Sequence, residues 1–135
     1  MRRGRGATDR SDQADDPRQV LGRHGEAAAR TAVRAAGYVV LAERFRCRQG
    51  EIDLICRHGE TIVVVEVKTR RDLAFGGGAA AVTIRKQRTI ARVAEAFLAR
   101  ASLQHLPCRF DVVVVDWPRD APPQTQILAG AFDAR

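Results

Sequence analysis

An apolar run that ends in charged residues is the feature that most constrains the fold. The run TIVVVEVK, residues 61–68, has the β-branched composition of a buried strand, and it places Glu66 and Lys68 on one face. The run before it, GEIDLIC, carries Glu51 and Asp53 in the same kind of strand. Acids and a lysine are costly to bury without partners, so these strands indicate a site that holds a cation and an anionic substrate.

The segment between these runs, RHGE, predicts a β-hairpin because its glycine suits a tight turn. A two-residue loop (HG) and a four-residue loop (RHGE) give the same register, in which Glu51 faces Glu66. Asp53 is then a diagonal neighbour of Glu66, about 7–8 Å away, and Lys68 shares their face. One divalent cation could bridge the two carboxylates. The opposite face is expected to carry Ile52, Leu54, Val63, Val65 and Val67.

The length and composition of the chain fit one folded domain. Residues 1–19 are polar and rich in arginine, so we expect a disordered basic tail ahead of a single domain at residues 20–135. The chain has no apolar stretch near the ~20 residues that cross a bilayer and no signal-peptide core, which indicates a cytoplasmic protein. Its three cysteines form no CxxC pair, so we expect reduced thiols in or near the core.

The net charge of +7 and the pI near 10.6 favour a polyanionic partner such as nucleic acid. The alternative is an arginine-rich composition without functional meaning. Only Lys68 and Lys86 among the 23 basic residues are lysines. A lysine on the acidic strand therefore suggests a need for a compact point charge that a planar guanidinium does not supply.

Helical spacing of apolar and small residues predicts a first helix from about residue 20 to residue 36, with Gly37 as its stop. Glu26 falls on the apolar stripe of this helix, where an acid that faces a sheet needs a partner. The alternative is that Glu26 only interacts favourably with the helix dipole. The next segment, Tyr38–Phe45, is predicted to form a strand ahead of the hairpin.

A second helix is predicted at residues 83–102, capped by Thr83 and carrying a clear apolar stripe. Residues 109–116 are predicted to form a buried strand and residues 126–132 a weaker edge strand. This order of elements predicts an α/β fold with helices packed on a mixed sheet. Candidate phosphate contacts lie in the loop at residues 69–81 and at the basic start of the second helix: Arg70, Arg71, Arg85, Lys86 and Arg88. A solvated charged surface is the alternative for these residues.

Phosphodiester hydrolysis needs an activated water and compensation for the charge that develops on the phosphate. Hard oxygen ligands that hold Mg²⁺ or Mn²⁺ provide both. Asp53 and Glu66 are the predicted metal ligands, with Glu26 reaching the metal directly or through water. Lys68 is predicted to orient or deprotonate the water and to stabilise charge on the phosphate. Glu51 is predicted to support these ligands or to replace one of them.

The spacing Asp53, twelve residues, then Glu66-Val67-Lys68 resembles the PD-(D/E)XK nuclease signature. A wider pattern over residues 22–117 resembles the UPF0102 family. That resemblance implies a restriction-endonuclease-like fold and maps Glu26, Asp53, Glu66 and Lys68 onto the helix acid, the first strand acid and the E-x-K pair. Ile52 stands in place of the motif's proline, which removes no ligand. The pattern consists of Gly25-Glu26, residues 50–55, residues 65–70, Phe75-Gly76, Lys86 and residues 109–112.

Three functions therefore follow from the sequence. The first is a divalent-metal-dependent endonuclease that acts on DNA, including branched or otherwise structured DNA. The second is a nucleic-acid-binding accessory protein with the same fold and no turnover, and the third is a hydrolase of a small phosphorylated molecule. The basic loops and tail argue against the third. A homodimer is suggested only by analogy with Holliday-junction resolvases.

Overall fold

A computed structural model describes residues 16–71 and 82–133, and within these ranges the strands form one mixed sheet of five strands. The elements in chain order are α1 (Pro17–Ala35), β1 (Val39–Cys47), β2 (Gly50–His58), β3 (Thr61–Arg70), α2 (Ile84–Ala101), β4 (Cys108–Asp116) and β5 (Gln124–Phe132). The strand order in the sheet is β1-β2-β3-β4-β5. Strands β3 and β4 are parallel, and the other neighbouring pairs are antiparallel.

This architecture confirms the predicted α/β fold with two helices and a mixed sheet. The edge strand expected at residues 126–132 forms β5, and α2 connects the two parallel strands, as parallel pairing requires. Helix α1 begins at Pro17, inside the segment predicted as a tail. Residues 1–15 and the glycine-containing part of the loop at 72–81 lie outside the described residues. Neither helix in the described ranges is long and apolar enough to cross a membrane.

Each face of the sheet is covered by one helix, and each helix has its own apolar core. The α1 side includes Ala29 and Val33 of the helix packed with Val63 and Val65 of β3. The α2 side includes Ile90 and Val93 packed with buried residues of β2 and β3. Burial on both faces explains the nearly continuous apolar runs of the central strands β3 and β4. Cys56 lies in the α1 core, where burial raises the pKa of its thiol to about 11, and none of the three cysteines, all of which are described, forms a disulfide, as predicted.

The hairpin between β2 and β3 differs from the predicted one by two residues. His58 remains in the strand and pairs with Thr61, so the two-residue loop is Gly59–Glu60. Gly59 has a φ of +61°, the conformation that primed hairpin turns require. Stacking of the His58 ring on Tyr38, with centroids 4.6 Å apart, fixes His58 in the strand. Over the paired part of the hairpin, a shift of two residues preserves the alternation of side chains between the two faces, and it brings Asp53 and Glu66 into closer register.

The regular alternation of side chains between the two faces of the sheet is interrupted in β2 near Asp53. Leu54 packs in the α1 core whereas Ile52 packs in the α2 core, although strict alternation predicted the same face for both. The pairing of β2 with β3 runs from His58–Thr61 to Leu54–Val65. Asp53 is the next residue beyond that pairing. The sequence could not reveal this change because an alternating pattern assumes a regular strand.

Helix α2 begins and ends where its sequence predicts. The Thr83 side chain accepts a hydrogen bond of 3.1 Å from the backbone N–H of Lys86, which is the geometry of an N-cap. Ser102 adopts a left-handed conformation with φ of 56° at the other end. The cap fixes Lys86 in the first turn of the helix, and this position matters for the site described next.

Candidate metal and phosphate site

Asp53 lies at the point where β2 separates from β3. Its Oδ2 accepts a hydrogen bond of 2.8 Å from the backbone N–H of Val67. Together with Glu26 it borders two open cavities, one of about 370 Å³ and one of about 280 Å³. Lys68 lines the larger cavity. The residues predicted as a site from the sequence, Glu26, Asp53 and Lys68, therefore meet at one end of the sheet.

Glu66 is the most deeply buried acid near this position, with only 3% of its surface exposed. Its Oε2 lies 3.1 Å from the Nζ of Lys86, whereas its Oε1 is buried and has no hydrogen-bond partner within the described residues. Burial, and then the negative charge of Asp53, raise the pKa of Glu66 to about 7. The positive charges of Lys86 and Lys68 lower the pKa of Glu66, but by less than burial and Asp53 raise it.

The pKa of Asp53 is also raised above its usual value. Burial is the main cause of its raised pKa, and the charges of Glu26 and Glu51 add to the effect. The hydrogen bond from Val67 and the charge of Lys86 oppose it. Two neighbouring carboxylates that both resist ionisation form a site that a cation would stabilise.

Glu26 extends from α1 towards the same cavities but is already ion-paired. Its Oε2 accepts a hydrogen bond of 2.8 Å from the Nε of Arg44 in β1. Arg44 has a φ of 49°, which is unusual for a residue with a side chain. Nothing in the sequence identified Arg44, because a long-range ion pair leaves no local pattern. Over residues 16–71 and 82–133, no group of three or more His, Cys, Asp and Glu side chains is arranged to hold a metal.

Glu51 does not face Glu66 as predicted. It pairs with Arg46 across the β1–β2 ladder, and its Oε2 lies 3.1 Å from the guanidinium of that residue. The reason is the hairpin register, which moved by two residues. Glu51 therefore acts on the site only through its charge, as one of the causes that raise the pKa of Asp53.

Lys68 and Thr69 bring α1 and β3 into close contact beside the acids. Both residues line the larger cavity, together with Gly22 and Glu26 of α1. A Cβ added to Gly25 would lie 1.9 Å from the Oγ1 of Thr69, so α1 can approach β3 this closely only because position 25 is glycine. This close approach places Glu26 at the edge of the cavity that holds Lys68.

The predicted phosphate-contacting residues have different environments. Arg70 pairs with Asp116 on the neighbouring strand through two hydrogen bonds. Lys86 is partly exposed, and its ammonium contacts Glu66. Three other members of the predicted set are exposed: Arg71, Arg85 and Arg88.

Asp111, the second fully buried acid, has a structural role. Its carboxylate accepts hydrogen bonds from the hydroxyl of Tyr38 at 2.7 Å, from the Nε of Arg109 at 2.9 Å and from the backbone N–H of Gly130 at 3.0 Å. A buried carboxylate with this many donors needs no further ligand. Glu66 differs, because its Oε1 has no donor within residues 16–71 and 82–133, and this contrast distinguishes a core acid from a candidate ligand.

The described residues contain no complete metal-binding group, but the chemistry of two carboxylates suits a divalent cation. Asp53 and Glu66 offer hard oxygen atoms, the donors that Mg²⁺ and Mn²⁺ prefer. The Oε1 of Glu66, which has no hydrogen-bond partner in the part of the chain that the structure describes, is an oxygen atom that a cation could take as a ligand. Glu26 could join them only after it separates from Arg44. The fold and this site together define an α/β protein with an acidic, lysine-bearing cleft at one end of its sheet.

Comparison with known proteins identifies the family. The model of the family described as "Uncharacterised protein family UPF0102" matches residues 25–115, and the chain belongs to that family. It is similar to a UPF0102 protein of Geotalea daltonii, 44% identical over 115 residues, which cover 85% of this chain and 91% of the relative. It is also similar to UPF0102 protein STH1475 of Symbiobacterium thermophilum, 45% identical over 114 residues, which cover 84% of this chain and 97% of the relative. The match confirms the predicted family, and its range contains the four predicted catalytic residues.

Proposed function

We propose that the protein is a divalent-metal-dependent endonuclease of the PD-(D/E)XK type that hydrolyses phosphodiester bonds of DNA in the cytoplasm. Branched or otherwise structured DNA is the candidate substrate. One observation carries this proposal: Glu66 is buried close enough to Asp53 for their charges to interact, and its Oε1 has no hydrogen-bond partner among the described residues. A carboxylate left in this state costs stability, and a metal ligand is the function that explains the cost.

Each residue of the site has a role in this proposal. Asp53 and Glu66 would hold Mg²⁺ or Mn²⁺, which supplies Lewis-acid activation of water and neutralises charge on the phosphate. The Val67 N–H fixes one oxygen of Asp53 and leaves the other available. Lys68, in the cavity bordered by Glu26 and Asp53, would orient the attacking water and hold or move its proton.

The charge of the protein supports a nucleic-acid substrate over a small phosphorylated molecule. The net charge is +7, and exposed arginines lie on α2 and on the segment that follows β3. Clustered cations favour a polyanionic backbone because binding releases counterions. A small phosphate ester needs only one or two cationic side chains.

A non-catalytic nucleic-acid-binding protein is the second candidate, and one observation favours it. Two of the acids already have cationic partners within the protein, Glu26 with Arg44 and Glu66 with Lys86. If both pairs persist in the presence of metal, the acids are structural. Binding to DNA would then depend steeply on salt concentration and not on metal.

Cleavage assays with matched variants test the proposal. The purified full chain is incubated with linear, flapped and four-way DNA, and with RNA, in Mg²⁺, Mn²⁺ or EDTA. We expect metal-dependent cleavage of DNA that is lost in Glu66→Ala and Lys68→Ala, both of which should retain the circular dichroism spectrum of the wild type. Glu60→Ala is the control because Glu60 lies in the hairpin loop of the same strands with its side chain 82% exposed. Absence of cleavage under both metals would reject the enzymatic proposal.

A further inference from the structure

Lys86 is the cationic partner of the most buried acid in the site. Its Nζ lies 3.1 Å from the Oε2 of Glu66, and the two residues come from different elements, α2 and β3. The charge of Lys86 also acts on Asp53. One ammonium therefore offsets part of the negative charge of both predicted metal ligands.

The two partners of this ion pair differ in their access to solvent. The Lys86 side chain is 49% exposed, whereas that of Glu66 is only 4% exposed. Lysine carries a compact charge on a flexible four-carbon chain, so its ammonium can leave the carboxylate while the backbone of α2 stays in place. The N-cap at Thr83 holds that backbone independently of the side chain. Glu66, in contrast, is carried by the buried strand β3, so its carboxylate cannot move into solvent.

We propose that Lys86 is a displaceable counter-cation: it occupies the carboxylate of Glu66 when no metal is bound, and the metal displaces it towards the phosphate of the nucleic acid. The proposal rests on the metal site proposed above and adds a coupling between metal and nucleic-acid binding. A divalent ion beside Glu66 would repel an ammonium at 3.1 Å, and the nearest favourable new partner for that ammonium is an anionic substrate.

If a bound metal displaces Lys86 from Glu66, two linked effects can be measured without any cleavage of DNA. Removal of Lys86 removes a competitor for Glu66, so the metal should bind more tightly. Because a released lysine is available to the phosphate, metal should increase the affinity for DNA in the wild type more than in a variant without Lys86. This linkage is reciprocal, since each ligand changes the affinity of the other by the same factor.

Metal affinity is the first measurement. Binding of Mn²⁺ to the full chain is followed by electron paramagnetic resonance in the wild type, Lys86→Met and Arg92→Met. The pH is held at 8.5, above the pKa of about 7 that Glu66 has in the wild type, to limit competition between protons and metal. We expect Lys86→Met to bind Mn²⁺ about five-fold more tightly than the wild type. This factor corresponds to the upper end of the interaction energies of exposed ion pairs. Arg92→Met removes the same charge from an exposed position six residues further along α2 and should leave the affinity unchanged.

DNA affinity is the second measurement. Binding of a four-way DNA is compared in EDTA and in Ca²⁺, a hard cation that takes the same oxygen ligands. We expect Ca²⁺ to increase the affinity of the wild type and of Arg92→Met, and to increase that of Lys86→Met by a smaller factor.

The outcomes separate this proposal from the one on which it rests. Equal Mn²⁺ affinity in the wild type and Lys86→Met overturns the displacement while the metal site stands. Tighter Mn²⁺ binding together with an unchanged effect of Ca²⁺ on DNA binding overturns the transfer of Lys86 to the phosphate. No Mn²⁺ binding in any variant overturns both proposals.

Discussion

The carboxylate of Asp53 accepts a hydrogen bond from the backbone N–H of Val67, the residue between Glu66 and Lys68. This bond ties the acid of one strand to the strand that carries the second acid and the lysine. It forms at the first residue beyond the regular pairing of β2 with β3. The hairpin therefore ends with Asp53 held by the backbone of the strand that carries Glu66 and Lys68, and a change in one of these charged groups should be detectable at another.

Glu66→Gln should stabilise the metal-free protein at high pH. Glu66 titrates near pH 7 in the folded protein and near 4.5 in the unfolded chain, so unfolding releases a proton between these values. The stability contribution of Glu66 is therefore fully present below pH 4.5 and is lost as pH rises to 7. Since one pKa unit corresponds to about 1.4 kcal/mol, we expect Glu66→Gln to increase the free energy of unfolding by about 1–3 kcal/mol at pH 8 and by less at pH 5.

Urea unfolding at both pH values measures this difference. Glu60→Gln is the matched control, because its side chain is 82% exposed and should change the stability by less than about 0.5 kcal/mol. Addition of Mn²⁺ should stabilise the wild type and not Glu66→Gln, since only the former keeps both carboxylates. An equal effect of Glu66→Gln at pH 5 and pH 8 would contradict the assignment of a raised pKa to Glu66.

Asp53→Asn should lower the pKa of Glu66. The negative charge of Asp53 is the second cause of the raised value, after burial, so its removal leaves the pKa between 4.5 and about 7. The asparagine amide oxygen can still accept the hydrogen bond from Val67, so the geometry of the strand should persist. The pKa is measured from the side-chain ¹³C shift of Glu66 over a pH series. Asp120→Asn, at an exposed position beyond β4, should leave that pKa unchanged, and an equal shift in both variants would refute a specific Asp53–Glu66 interaction.

The sequence was sufficient to predict the elements of the fold, because their signals are local. The apolar stripe and the cap at Thr83 are contained within α2, and the β-branched runs are contained within the strands. The hairpin register was wrong because the choice between two turns depends on His58, which is held in the strand by stacking on Tyr38. That contact joins residues distant in sequence.

The candidate site was predictable only in part for the same reason. Asp53, Glu66 and Lys68 stand out because they interrupt apolar strands, and a charge in such a place has few explanations. The partners Arg44 and Lys86 lie among many other basic residues, and only the packing of β1 and α2 selects them. Sequence periodicity assigns a face to a residue but does not assign an ion-pair partner.

Gly25→Ala should destabilise the protein because it would separate α1 from β3. The added Cβ would lie 1.9 Å from the Oγ1 of Thr69, and overpacking of this kind costs about 1–3 kcal/mol. Gly22→Ala is the control within the same helix, since its added Cβ would have no described atom within 4 Å apart from the backbone of its own helix and its chain neighbours. Alanine favours the helix over glycine by about 1 kcal/mol, so Gly22→Ala should stabilise the protein. Thermal unfolding should give changes of opposite sign, and stabilisation by both substitutions would show that α1 does not need the close approach.

Arg44→Gly should be more stable than Arg44→Ala, because the backbone at this position favours glycine. Both substitutions remove the ion pair with Glu26, but only glycine adopts a φ of 49° without a steric penalty of about 1–2 kcal/mol. Arg46, in the same strand, provides the comparison. Arg46→Gly should be less stable than Arg46→Ala, because glycine loses more conformational freedom than alanine when it is ordered in a regular strand. Urea unfolding of the four variants gives two differences, and we expect them to have opposite signs. If Arg44→Gly is the less stable variant of its pair, the left-handed conformation of Arg44 is not part of the folded protein, and the ion pair between Arg44 and Glu26 must arise from another backbone conformation.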